Sequence, residues 1–154
     1  MLCIWWDHLG VIYYQLLEPS KTITGERYRL QLMCLKRVLN EKRPEWENRH
    51  EKLILLHDNA RPHVHSAVKN YIEGQNWEVL PHPPYSPDIA PSDYHLFRSM
   101  QAALSGEQFN SHEDIKIWVD NWIISKTPDF FRRGIHLLPE RWAKVIASDG
   151  AYFE

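Results

Sequence analysis

Three aspartates at the ends of apolar runs are the residues of this chain best suited to chemistry. Asp7 closes Leu2-Cys3-Ile4-Trp5-Trp6, and Asp58 follows Leu53-Ile54-Leu55-Leu56 after His57. Asp93 comes 34 intervening residues after Asp58 (59 to 92), in Pro91-Ser92-Asp93-Tyr94, where a helix is predicted to start. Acids at the ends of two strands and on a helix can be brought by a fold to one point. Three hard oxygen donors there suit Mg²⁺ or Mn²⁺, and two such ions side by side hydrolyse and transfer phosphodiesters. Each acid taken alone has an ordinary alternative. Asp7 suits a hairpin turn, Asp58-Asn59 a strand-to-loop turn, and Asp93 the first turn of a helix, where the macrodipole favours an anion.

The elements that must position these acids follow from periodicity. Apolar runs at 2–6 and 11–17 flank His8-Leu9-Gly10, which predicts a β-hairpin with Gly10 in the turn. A short third strand near Lys21–Thr24 is possible. Tyr28, Leu32, Cys34, Leu35, Val38 and Leu39 have near-helical spacing and predict a helix over 26–41, ended by Pro44. Leu53–Leu56 predicts a strand covered on both faces. Pro62 opens a helix that Gly74 closes, and Trp77–Leu80 predicts another strand. Residues 81–92 hold five prolines and predict a rigid extended loop. Ser92 is placed to cap a helix running to Ser105. Further helices are predicted at 111–126, from Pro128, and at 139–147.

The order β-β-(β)-α-β-α-β-α implies a parallel pairing through a right-handed crossover. Asp7 and Asp58 are then expected on one edge of a mixed sheet. That is an α/β, ribonuclease-H-like arrangement flanked by helices, with extra C-terminal helices. The 154 residues suffice for one such domain. A 44% hydrophobic and 25% charged composition excludes a disordered chain. The net charge of −2 argues against a pure DNA-binding module, which is usually basic, but not against a nuclease with an acidic metal site. Cys3 and Cys34 lie in apolar stretches and are expected to be buried thiols. No signal peptide or long apolar span is visible, so a soluble intracellular chain is expected.

Other residues have two readings each. His57, His63 and His65 around Asp58 invite a zinc site, but neither a Cys pair nor an HExxH spacing accompanies them. His63 and His65 otherwise read as helix-start residues. Asp88 is either a fourth ligand or the cap of a turn between prolines. Arg27, Arg29, Lys36, Arg37, Lys42 and Arg43 either track a DNA backbone or form a solvated helix face. Tyr85, Ser86, Pro87 and Asp88 belong to the loop expected to set the angle of Asp93, with Tyr85 as its aromatic anchor.

Three stretches carry a specific resemblance. Cys3-Ile4-Trp5-Trp6-Asp7, His57-Asp58-Asn59-Ala60-Arg61-Pro62-His63, and the run from Leu80 through Pro83-Pro84-Tyr85-Ser86-Pro87-Asp88 to Asp93-Tyr94-His95-Leu96-Phe97 resemble the mariner branch of the Tc1/mariner transposases. That branch is defined by Asp, Asp, then 34 residues, then Asp. A third glutamate would instead suggest the Tc1 branch. Arg133-Gly134-Ile135-His136, Leu138-Pro139-Glu140-Arg141-Trp142 and Ser148-Asp149-Gly150 extend the likeness over essentially the whole chain.

The resemblance implies a DNA transposase catalytic domain in which Asp7, Asp58 and Asp93 hold two Mg²⁺ (or Mn²⁺) ions. It also implies hydrolysis at transposon ends and strand transfer to a TA target, a homodimer in the full-length protein, no membrane, and the nucleus as location. Asn59, Arg61 and His63 would orient the carboxylates or contact phosphate. The N-terminal helix-turn-helix region of such proteins is not found in these residues. A catalytic-domain fragment, a decayed copy or a domain fused to another protein is therefore expected. The alternative is a catalytically silent fragment acting as an interaction module.

Overall fold

The computed structural model describes residues 1–46, 52–58, 60–83 and 86–147. Asn59, Pro84, Tyr85 and the Ser148-Asp149-Gly150 motif, all singled out above, lie outside the described residues. The chain divides into two compact units, Met1–Trp5 with Ile12–Tyr85, and Trp6–Val11 with Ser86–Glu154.

In the first unit, β1 (Leu2–Asp7) and β2 (Gly10–Leu16) contribute the open end of the predicted hairpin. Met1 and Leu17 close it, the Leu17 amide donating to the Met1 carbonyl at 2.8 Å and the Met1 amine to the Leu17 carbonyl at 3.2 Å. The possible strand at 21–24 does not form. Thr24 is instead the N-cap of α1 (Gly25–Lys42), its Oγ1 accepting from the Arg27 amide at 3.1 Å.

Tyr28, Leu32, Leu35 and Leu39 recur at helical spacing along α1 and are buried with Ile12, Leu55, Val68 and Ile72. Cys34 and Val38 only flank this stripe, and both cysteines are half-buried free thiols rather than core residues. Gln31 is buried in their place, its Nε2 donating to Gln15 Oε1 at 2.6 Å.

β3 (Ile54–Leu55) and β4 (Glu78–Val79) pair in parallel, Ile54 opposite Glu78 and Leu55 opposite Val79. The crossover between them carries helices, as expected for parallel neighbours. Two expectations need correction. Only Leu55 is buried, whereas Ile54 is 59% exposed, so this strand is covered on one face. With two residues each, β3 and β4 make a short ladder, and the described strands form two two-stranded sheets.

The predicted helix from Pro62 to Gly74 is broken into α2 (Arg61–Val64) and α3 (Ser66–Gly74). His65 between them is extended, at φ −61° and ψ 142°, and its Nδ1 caps α3 by accepting from the Ala67 amide at 3.2 Å. A Cβ on Gly25 would lie 2.3 Å from His65 Cγ, so α1 needs glycine where this ring passes.

In the second unit, the proline-rich loop is not extended throughout. Pro87–Ile89 forms a 3₁₀ turn, and Ile89 is fully buried. Ser92–Phe97 then makes a π-helical turn that runs into α4 (Arg98–Leu104). Pro91 occupies the N-cap position with no side-chain bond, so Ser92 does not cap this helix. Its Oγ instead accepts the Trp6 indole N–H at 2.9 Å. The remaining predicted helices are α5 (His112–Ile124), α6 (Pro128–His136) and α7 (Leu138–Ala147). Leu96, Met100, Val119, Trp122, Phe131 and Val145 are buried in this unit. Among the described residues no helix is long and apolar enough to cross a membrane.

Leu32 is fully buried in the first unit. Leu32→Ala is expected to cost about 2–5 kcal/mol in urea unfolding. Ile54→Ser, on the open face of β3, is expected to change stability by about 0.5 kcal/mol or less.

Candidate metal and nucleic-acid site

Asp58 sits just past β3 with an exposed side chain, 56% accessible. The Ala60 amide donates to its Oδ1 at 3.0 Å. His63 Nδ1 lies 2.8 Å from the same oxygen and 3.1 Å from the Asp58 carbonyl. Both distances require Nδ1 to carry the proton, so His63 orients Asp58 from the first turn after the loop.

Behind this pair, His57 and His63 stack with ring centroids 4.8 Å apart and planes 8° apart. Tyr28 packs on His63 at 4.2 Å, and its hydroxyl is 2.9 Å from His57 Nδ1. Burial, then the neighbouring His63, pushes His57 down to about 4. Burial likewise raises the Tyr28 hydroxyl well above its ordinary value. The Tyr28 hydroxyl is therefore the donor and neutral His57 the acceptor. His65 is engaged at the start of α3, as above. Among the described residues no group of three or more His, Cys, Asp or Glu is assembled to hold a metal ion. His57 and His63 form a packed support for Asp58, which the sequence alone did not reveal.

Asp93 is exposed on the π-helical turn, between half-buried Ser92 and buried Tyr94. The Tyr94 hydroxyl donates to the Gly134 carbonyl. His95 Nε2 donates to the Phe130 carbonyl at 2.6 Å. A Cβ on Gly134 would lie 2.4 Å from His95 Cδ2, which holds α6 close against the turn. Trp6 stacks on His95 at 6.4 Å and packs on Phe131 at 5.8 Å. A cavity of about 320 Å³ opens beside Asp93, lined also by Asp88, Arg98, Arg141 and Lys144.

Asp88 does not cap its turn, because both carboxylate oxygens are buried without a hydrogen-bond partner. Ser86 is buried and Pro87 exposed at the start of the same 3₁₀ turn. Asp7 behaves as its ordinary alternative predicts. Its Oδ1 accepts from the Leu9 amide at 3.0 Å and the Gly10 amide at 3.2 Å, closing the hairpin tip, where Gly10 has φ 140°.

The basic residues of α1 form a partly occupied face. Arg29 pairs with Glu26, and Lys36 donates to Gln75 Oε1. Arg37 is exposed and Arg27 half-buried, while Arg61 is exposed at the start of α2.

The sequence matches the family model described as Transposase (partial DDE domain) over residues 1–49. It is 54% identical over all 154 residues to the Mariner Mos1 transposase of Drosophila mauritiana, and spans 45% of that protein. It is 38% identical over the same length to human Histone-lysine N-methyltransferase SETMAR, of which it spans 22%. The structure of the Mos1 transposase catalytic domain with raltegravir and Mg superposes with a TM-score of 0.96 and 56% identity, over 99% of this chain and 76% of that one. The Mos1 paired end complex with Mn gives 0.95 and 55%, over 99% of this chain and 44% of that one. By this likeness the chain has the DDE-type, ribonuclease-H-like fold of a transposase catalytic region. Within that class the chain belongs to the mariner transposase family.

The buried neutral His57 has a pH consequence. Its folded pKa lies below the unfolded value of about 6.5, so the stability it contributes is complete above about 6.5 and is lost as pH falls toward 4. The melting temperature of the wild type is expected to fall over that window more steeply than that of His57→Phe. Parallel pH profiles of the two would contradict the burial of a neutral imidazole.

Proposed function

We propose that this chain is the catalytic region of a mariner DNA transposase, and that Asp7, Asp58 and Asp93 contribute to a divalent-metal site. The 54% identity to the Mos1 transposase over all 154 residues, together with the 34 residues between Asp58 and Asp93, carries this reading. Both carboxylates are exposed hard-oxygen donors, a fit for Mg²⁺ or Mn²⁺. Mos1 catalytic-domain structures with Mg and with Mn support the choice of ion. Two ions is the number the proposed chemistry uses.

Asp7 belongs to the same set: two turn amides orient its Oδ1, as the Ala60 amide and His63 orient Asp58. Bound ions would supply Lewis acidity at the scissile phosphodiester. The chain's own contributions are orientation and charge. His63 fixes the Asp58 carboxylate, Trp6 and Ser92 fix the turn before Asp93, and Arg27, Arg37 and Arg61 offer phosphate contacts. Water attacks phosphorus and the DNA 3′ oxygen leaves with a proton. That 3′-OH in turn attacks target DNA, displacing another 3′ oxygen. No covalent bond to protein is needed. A TA target, a dimer in the longer protein and nuclear location belong to the same reading.

The human relative favours a second reading. A segment like this one makes up 22% of a protein named as a histone methyltransferase. The chain would then act as a DNA- or protein-interaction module within a larger polypeptide, with catalysis silent.

Ligand binding to the folded state raises stability by mass action. Millimolar Mn²⁺ is expected to raise the melting temperature, and Asp58→Ala or Asp93→Ala to abolish the rise. Asp7→Ala is expected to lower the melting temperature without metal and also to reduce the Mn²⁺-dependent rise. An undiminished rise in the Asp58→Ala, Asp93→Ala double variant would overturn the site. DNA binding is expected to be weak, salt-dependent and indifferent to sequence. A tenfold preference for an inverted-repeat duplex over a scrambled one in a gel shift would contradict that.

A further inference from the structure

We infer that Arg141 on α7 is a positioning residue for Asp93, gripping the chain on both sides of that carboxylate. Its Nη1 donates to the Asp88 carbonyl at 3.0 Å, and its guanidinium lies over the Tyr94 ring with Cζ 4.2 Å from the centroid. One planar group thus holds the 3₁₀ turn five residues before Asp93 and the residue directly after it. The inference rests on the reading that Asp93 holds a divalent ion.

The grip is anchored at its other end. The Tyr94 ring that Arg141 covers is fixed by its hydroxyl bond to the Gly134 carbonyl on α6. A carbonyl has no proton to give, so the Tyr94 hydroxyl is the donor in that bond. The carbonyl bond and the ring contact together select arginine. A guanidinium stacks flat on an aromatic face while its edge donates in plane, and an ammonium cannot do both. A π-helical turn is a rare backbone form that appears often at functional sites. Here it separates an exposed acid from buried neighbours, so fixing those neighbours fixes the acid.

Removing a group that orients a metal ligand typically weakens metal binding about 10- to 100-fold. The test is a calorimetric Mn²⁺ titration of the full chain as wild type, Asp93→Asn, Arg141→Met and Arg141→Lys, with the metal-free melting temperature measured for each. Asp93→Asn is expected to lose the Mn²⁺ affinity. Arg141→Lys and Arg141→Met are expected to weaken it by on the order of tenfold while the metal-free melting temperature stays close to wild type. Arg141→Lys keeps the charge and the aliphatic stem, so it carries the test if Arg141→Met fails to fold. Wild-type affinity in Arg141→Lys, with affinity lost in Asp93→Asn, would overturn the positioning role and leave the metal reading intact. A loss in Arg141→Lys matched by a collapse of the metal-free melting temperature would also overturn it, assigning Arg141 to folding. Wild-type affinity in Asp93→Asn would overturn the metal reading itself.

Discussion

The second unit depends on one constraint: an exposed carboxylate must be held rigidly by neighbours whose own side chains are bonded into the fold. Asp93 makes this possible by sitting on a turn whose flanking residues are all engaged. Ser92 accepts from Trp6, Tyr94 donates to Gly134, and His95 donates to Phe130. The partners on α6 can reach the turn because Gly134 has no side chain in the path of His95. Buried polar groups that lack partners cost about 1–3 kcal/mol each. These bonds therefore do two things: they satisfy the buried groups and they fix the acid.

Asp58 reaches a similar result by shorter-range means. Its loop lies between β3 and α2, and the positioning groups come from within five residues, as the Ala60 amide and the His63 ring. The stacked rings of His57 and His63 stiffen that loop, and Tyr28 ties it to α1. The low pKa of His57 removes a competing positive charge from behind Asp58 at neutral pH. Phosphoryl-transfer chemistry tolerates little misplacement, on the scale of about 1 Å. Both acids thus have positional support without being withdrawn from solvent.

Much of this was legible in the sequence, and the misses have physical causes. The helices over 26–41, 111–126 and 139–147 were readable because their apolar residues repeat at helical spacing. The spacing of Asp58 and Asp93, with the surrounding motifs, identified the family. The break at His65 was not readable, since nothing in Pro62–Gly74 disrupts the pattern. It arises because the ring caps α3 and passes over Gly25. Ser92 carried a cap signature, yet a tertiary partner, Trp6, took its hydroxyl. Asp7 fits both a metal ligand and a hairpin turn, and the structure shows its turn bonds. Gln31 and Arg141 were missed because each is polar, and only their distant partners, Gln15, Asp88 and Tyr94, reveal their use.

The proposed role of Asp7, Asp58 and Asp93 is to bind a divalent ion. Iron-directed backbone cleavage tests it most directly, because Fe²⁺ bound in place of Mg²⁺ reduces added peroxide to hydroxyl radicals that cut the backbone close to the ion. Cuts are expected near residues 58 and 93, suppressed by excess Mg²⁺ and eliminated by Asp58→Ala with Asp93→Ala. Mg²⁺-sensitive cuts confined to other acidic stretches, such as Glu113-Asp114 on α5, would contradict it.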